Sequence, residues 1–231
     1  MSSVTEEKVL ENKPKEKESK INAWEIWNRF GIIIILIVFG TILSVLSEHF
    51  LTISNLFNIA KQGAVLLLIS LGILIPVVTG NVDLTVGAFS GLAGALFAGW
   101  TIKFGIFPGL LMGFGVAIVV GVINGFLTTR GKGGLSVIVT LATLTIIQGI
   151  TLLYTGGRPI IGFPKAIRVI GVGKLGPIPW PVVIAFIFSV LVHIMLQYTK
   201  FGRELYAIGG NSEAAYLSGI NVKMKTVMAF V

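Results

Sequence analysis

Phe30-Gly-Ile-Ile-Ile-Ile-Leu-Ile-Val-Phe-Gly-Thr-Ile-Leu-Ser-Val-Leu46 runs for seventeen residues without a single charged side chain. Its length approaches the ~20 residues that a bilayer core demands of a helix. Five runs of the same kind follow, at Gly63–Thr79, Leu84–Ile102, Ile106–Leu127, Leu135–Tyr154 and Pro181–Tyr198. A seventh begins near Thr226 and stops at Val231, within Val-Met-Ala-Phe-Val. The runs are continuously apolar rather than alternating, which favours helices over a β-barrel. The sequence therefore reads as an all-α, polytopic transmembrane helical bundle of about six complete spans and the start of another. A chain that stops inside an apolar run also reads as a fragment or a truncated product.

Composition supports the same conclusion. Of 231 residues, 54% are hydrophobic and 12% charged, with a mean hydropathy of +0.92; an ordinary soluble domain is about 25% charged. Residues 1–26 hold eleven of the 28 charged side chains, leaving seventeen for the other 205 residues. That is too few to cover a soluble globule of this size.

The 1–26 segment, Lys/Glu-rich with Pro14, buries too little to fold alone and is expected to be a disordered cytoplasmic tail. Its polar stretch is too long for a signal-peptide n-region. Ser47-Glu48-His49 offers no small-residue cleavage site after the apolar run, so the first span reads as an uncleaved anchor. Residues 27–231 then form the transmembrane domain, with residues 199–225 as a cytoplasmic segment.

The formal net charge of +8 would suggest nucleic acid in a soluble protein. Here the cations sit in short stretches between apolar runs, as in loops at a membrane surface, so no nucleic-acid partner is expected. The absence of cysteine removes disulfides, thiolate metal sites and a cysteine nucleophile. His49 and His193 lack metal-ligand spacing, and neither a metal nor a cofactor is expected. With the N-terminus inside, twelve Lys and Arg fall on the inner side and six on the outer side. The excess of inner cations favours a cytoplasmic N-terminus. Four of the six outer cations lie in the 155–180 segment, which is expected to form its own cap.

Small residues recur four apart, at Gly87 and Gly91, Gly94 and Ala98, Gly109 and Gly113, and Gly121 and Gly125. This spacing is expected to let helix backbones pack closely in lipid. Gly171-Val-Gly-Lys-Leu-Gly176 matches the pattern G-x-G-x-x-G, but Pro177-Ile-Pro179 follows where a dinucleotide site needs a helix, so it reads as a glycine-rich loop. No phosphate-binding G-x-x-x-x-G-K-[ST] occurs.

Asp83 is the only acidic residue between Glu48 and Glu204, and it lies where two spans meet, in Thr79-Gly-Asn-Val-Asp-Leu-Thr-Val-Gly87. A carboxylate at membrane depth must face protein or a watery cavity. Asp83 is expected to cap the helix that follows it or, with Asn81, to lie on a translocation path or gate, and the two roles can coexist. Residues 199–225 form the most informative segment. Ser212–Ser218 reads as a short helix capped by Asn211 or Ser212, with Gly219 at its left-handed C-terminal position.

Glu213-Ala214-Ala215-x-x-x-Gly219 resembles the EAA-x-x-x-G signature of ABC importer permeases. The longer string from Tyr206 to Val222 is similar to the ribose/xylose/autoinducer-2 branch of that family, ribose permeases in particular. So are Thr79–Gly87, Tyr154-Thr-Gly-Gly-Arg-Pro-Ile160 and Gly121-Val-Ile-Asn-Gly125. Asn81 departs from the branch, which usually has Gly or Ser there, and such permeases run on beyond this chain to roughly ten spans.

The resemblance implies a transport subunit in a bacterial plasma membrane rather than an enzyme. It would pair with a second permease subunit, dock an ATP-binding ABC subunit, and receive sugar from an extracytoplasmic binding protein. Glu213, Ala214, Ala215 and Gly219 would couple the permease to the ATPase: the alanines by allowing close docking, Glu213 by presenting a charge. Two alternatives stand beside this reading. One is an ABC permease for branched-chain amino acids. The other is a secondary transporter, which would need more intramembrane ionisable groups than Asp83 and His193 supply.

Overall fold

The computed structural model describes residues 23–131 and 135–231. Most of the charged tail, and Lys132 of the inner-cation count, lie outside the described residues. Ten helices and one two-stranded hairpin are found among the described residues. The helices are α1 (Ala23–Leu46), α2 (Ile53–Val78), α3 (Val86–Phe104), α4 (Ile106–Thr128), α5 (Leu135–Thr155) and α6 (Lys165–Val172), then α7 (Trp180–Tyr198), α8 (Lys200–Gly210), α9 (Ser212–Leu217) and α10 (Val222–Phe230). The hairpin, β1 (Lys174–Leu175) and β2 (Ile178–Pro179), pairs antiparallel with Leu175 opposite Ile178. The expected all-α polytopic bundle is the fold found.

Five helices are long and apolar enough to cross a bilayer: α2, α4, α5, α7 and the Trp27–Leu46 part of α1. The helix α3 replaces the expected span Leu84–Ile102. At 19 residues it matches α7 in length and reaches about 28 Å. Its four glycines, with Trp100, Thr101 and Lys103, dilute its apolarity.

The chain divides into a unit of residues 1–56 and a unit of residues 57–231. In the first unit α1 exposes large apolar side chains around its whole circumference, from Ile32 and Leu36 to Val45 and Leu46. Such a helix suits lipid rather than water.

In the second unit the bundle is organised by close backbone approaches. Gly105, at φ +97°, is at once the C-cap of α3 and the N-cap of α4, folding them into an antiparallel pair. A Cβ on Gly109 would collide with the Thr101 hydroxyl and sit 2.8 Å from the Phe97 carbonyl oxygen. Farther along α4, a Cβ on Gly121 would strike the Phe230 carbonyl, and one on Gly125 would lie 2.7 Å from Val227 Cα. Gly109, Gly121 and Gly125 thus serve the close packing expected of them. Gly87, Gly91 and Gly94 do not: a Cβ on any of these would meet nothing within 4 Å. A small core of Leu196, Leu205 and Ala229, flanked by Ile75 and Val78, ties α7, α8 and α10 to the end of α2.

Two local expectations are revised. The last apolar run forms α10, which begins at Val222, four residues before Thr226, because the Asn221 side chain accepts from the Met224 amide and starts it there. An unforeseen helix, α8, fills much of the 199–225 segment, capped where the Thr199 hydroxyl accepts from the Gly202 amide. Residues 155–180, expected to form their own cap, hold the short helix α6 followed by the hairpin. The glycine-rich stretch ends α6 and forms the hairpin turn, with no strand–turn–helix of a dinucleotide site.

Candidate functional site

The break between α2 and α3 carries the first part of the site. Pro76 lies inside the last turn of α2 and cannot donate a backbone bond. Its carbonyl instead collects the amides of Thr79 and Asn81 and the Thr79 hydroxyl, at 2.9, 3.1 and 2.7 Å. Gly80 turns the chain at φ +78°, and the Asn81 side-chain amide donates to the Thr79 hydroxyl at 3.0 Å. Residues 81–85 are then non-helical. Exposed peptide groups at membrane depth would cost several kcal/mol each, and here neighbouring helices supply partners. The Val82 amide donates to Ser136 Oγ at 3.3 Å, and Ser136 and Thr140 of α5 are both buried.

Asp83 is buried and does not cap α3. The helix starts at Val86 with Thr85 as its N-cap residue. The Asp83 carboxylate accepts instead from the Thr85 amide at 2.8 Å and the Thr85 hydroxyl at 2.5 Å. The carboxylate sits three residues before the helix, so its reach ends at Thr85 and the free amides of the first turn lie beyond it. Thr85 in turn accepts from the Asn124 side-chain amide at 3.0 Å, and Asn124 is wholly buried in α4. A polar chain Asp83–Thr85–Asn124 therefore locks the break onto the same face of α4 that receives α10.

Beside this lock lies an open cavity of about 1240 Å³. It is lined by Thr79 and Asn81 from the break, by Ser136 from α5, and by Glu213, Gly219 and Thr226 from the C-terminal segment. The cavity brings together three of the residues singled out from sequence: Asn81, Glu213 and Gly219. Asp83, Ala214 and Ala215 do not line it. Ala214 is exposed, whereas Ala215 is buried against the chain itself, so only one of the two alanines presents an outward face.

The short helix α9 is sharply bounded at both ends. Asn211 Oδ1 accepts from the amides of Glu213 and Ala214 at 3.1 and 3.0 Å. Gly219, at φ +83°, donates to the Tyr216 carbonyl, and Ile220 donates to that of Ala215. These two bonds form a Schellman motif, in which the left-handed position favours glycine. Tyr216 and Leu217 stand 69% and 79% exposed on this helix, an apolar tip beside the Glu213 carboxylate.

The segment is also tied to the break. A Cβ on Gly209 would collide with the Val78 carbonyl, so α8 rests directly on the end of α2. An ion pair joins α8 to α10, with Lys225 Nζ 2.7 Å from Glu204 Oε2 and Lys200 Nζ 3.7 Å from Oε1. The hydrogen bond from Lys225 holds the Glu204 carboxyl below its ordinary value, against an opposing push from burial. Among the described residues no group of three or more metal-ligating side chains occurs.

Sequence reasoning missed Thr85, Ser136, Thr140 and Glu204 as parts of this arrangement. It quoted Asn124 within Gly121–Gly125 without giving it a task. The available signal was a lone amide side chain between two glycines in an otherwise apolar span.

Five helices long and apolar enough to cross a bilayer define the class as a polytopic helical membrane protein. The chain belongs to the branched-chain amino acid transport system permease component family, whose model matches residues 55–231. It is similar to the ribose import permease protein RbsC of Bacillus subtilis (strain 168), 36% identical over 93% of this chain and 67% of that protein. It is also similar to the D-allose transport system permease protein AlsC of Escherichia coli (strain K12), 32% identical over 89% and 64%. The L-arabinose ABC transporter permease protein AraH of Azospirillum brasilense is 30% identical over 90% and 61%. The chain thus spans about two thirds of the length of the curated relatives it matches. No solved structure matches it.

Proposed function

We propose that the chain is the membrane-spanning permease subunit of an ABC importer for a sugar such as ribose. It lies in a bacterial plasma membrane with its N-terminus in the cytoplasm. A separate ATPase subunit drives it, a second permease subunit completes the path, and an extracytoplasmic binding protein delivers the sugar. The observation that carries this reading is the shared cavity of the α9 helix and the α2–α3 break. It supports a mechanism in which α9 is the ATPase-facing element. A push on its exposed face, through Glu213 and the Tyr216–Leu217 tip, reaches α8 through the Asn211 junction. From Gly209 it then passes to the end of α2 and to Asn81. The break answers as a unit because Asp83, Thr85 and Asn124 are bonded to one another.

Sugar is favoured over branched-chain amino acids because the similar proteins described above are named for ribose, allose and arabinose. The test is uptake into proteoliposomes holding the permease, its ATPase subunit and the binding protein. ATP-dependent accumulation of labelled ribose, allose or arabinose is expected, with none of leucine. Accumulation driven by a proton or sodium gradient without the ATPase would establish a secondary transporter instead.

A further inference from the structure

The helix α5 carries a polar stripe that the bundle leaves unused. Gln148, Thr151 and Thr155 stand at i, i+3 and i+7, on one helix face, and Arg158 follows just past the helix end. These four line a groove of about 410 Å³, which α3 borders through Gly87, Ala88 and Gly91. That volume lies within the ~300–1,000 Å³ of small-molecule sites. Gln148 is exposed, although it sits well inside an apolar span. A side-chain amide turned to hydrocarbon would be costly, so this face needs polar company.

The donor and acceptor inventory indicates what that company is. The hydroxyls of Thr151 and Thr155 donate to the carbonyls of Ile147 and Thr151 at 2.7 and 2.9 Å, so toward the groove they can only accept. Arg158 can only donate, and the Gln148 amide does both. A groove with donors, acceptors and no carboxylate fits neighbouring hydroxyls, each of which gives one hydrogen bond and takes others. Gly87 and Gly91 meet no neighbour that would demand glycine, unlike Gly109, Gly121 and Gly125. Their absent side chains leave the α3 side of the groove open to a ring.

We propose that this groove is a sugar-contacting wall of the translocation path, with Gln148 and Arg158 as its hydrogen-bonding residues and Gly91 keeping it open. The proposal rests on the reading of the chain as a sugar importer permease. Uptake by the unmodified transporter therefore comes first, and a failure there counts against that reading alone. The chain has no cysteine, so in a transporter assembled with cysteine-free partners a Gln148→Cys variant offers one thiol per copy of the chain for an aqueous thiosulfonate reagent. Reaction is expected, slowed at least fivefold by saturating transported sugar. Gln148→Leu and Gly91→Val are expected to cut labelled-sugar uptake at least tenfold, with membrane abundance and subunit co-purification retained, and Gln148→Asn should recover part of it. Undiminished uptake in both variants, or a thiol at position 148 inert to the aqueous reagent, would overturn the proposal. So would loss of permease pairing in these variants, which would make the groove a subunit interface.

Discussion

The side-chain amide of Asn124 reaches across 39 residues of sequence to the Thr85 hydroxyl at 3.0 Å, and that hydroxyl passes a hydrogen bond to Asp83. The contact joins the α2–α3 break to the middle of the bundle by side chains alone. Asn124→Ala removes the amide from a fully buried position and leaves the break held mainly by Ser136. A loss of about 1–3 kcal/mol is expected, read as a lower melting temperature in detergent with normal membrane insertion. Asp83→Asn should behave differently. Its side-chain oxygen can still accept from the Thr85 amide and hydroxyl, so the melting temperature is expected to stay close to that of the unmodified chain. A drop in uptake by Asp83→Asn at unchanged melting temperature would assign the charge itself to transport.

The glycines of α4 and α3 give opposite expectations. Gly125→Val drives a side chain into the α10 backbone at Val227, and overpacking of this kind costs typically ~1–3 kcal/mol. Gly94→Ala points into open space on a helix and should be neutral or stabilising by up to ~1 kcal/mol. Melting curves of the two variants, collected side by side, check both directions.

This pair marks where sequence reasoning reached its limit. The apolar runs placed five membrane helices, because in lipid a helix is the only way such a run can satisfy its own peptide groups. The cap residues of α9 were legible because Asn211 and Gly219 act within a few residues of themselves. Which small residues pack was not legible: Gly91 and Gly125 look alike in sequence, and only the course of α10 separates them. The capping role expected of Asp83 failed for a related reason. Its nearest donor is the Thr85 hydroxyl, which competes with the amides of the first helical turn, and Thr85 itself is fixed by Asn124 from a distant helix.

The Glu204–Lys225 pair predicts a pH dependence. The carboxyl is held below its ordinary value of 4.5 in the folded chain. Its contribution is therefore fully present above the ordinary carboxylate range and is lost as pH falls through the lowered value. Glu204→Gln should lower the melting temperature at pH 6–7, and the gap to the unmodified chain should close as the pH drops below about 4. A gap that is constant from pH 7 to pH 3 would mean that packing, not charge, carries the effect.

Topology is open to direct labelling, because these 231 residues hold no cysteine that would compete. The Lys/Arg distribution predicts a cytoplasmic N-terminus and cytoplasmic residues 199–225, with 155–180 outside. Single cysteines at Ser2, Ser212 and Val169, treated in intact cells with an impermeant reagent, are expected to react only at position 169, on α6. Reaction at position 212 from outside would reverse the orientation.

The sharpest prediction concerns Gly219. Its φ of +83° is imposed by the two bonds that close α9, from Gly219 to Tyr216 and from Ile220 to Ala215. Valine at that φ is strained by about 1–3 kcal/mol, more than a six-residue helix can absorb without unwinding its last turn. Nothing lies within 4 Å of the position a Cβ would take, so any effect comes from backbone conformation and not from collision. Asparagine tolerates the left-handed region better than any β-branched residue and serves as the control. Gly219→Val should insert normally, since no span is touched, yet shift the Tyr216–Leu217 tip, weaken co-purification of the ATPase subunit and abolish uptake. Gly219→Asn should retain most of both. Glu213→Ala should fall between them, because an exposed charge contributes only about 0–1 kcal/mol while one desolvated by a partner contributes more. Normal ATPase co-purification and sugar-stimulated hydrolysis in Gly219→Val would remove α9 from the coupling route and leave the cavity it shares with Asn81 without a mechanical role.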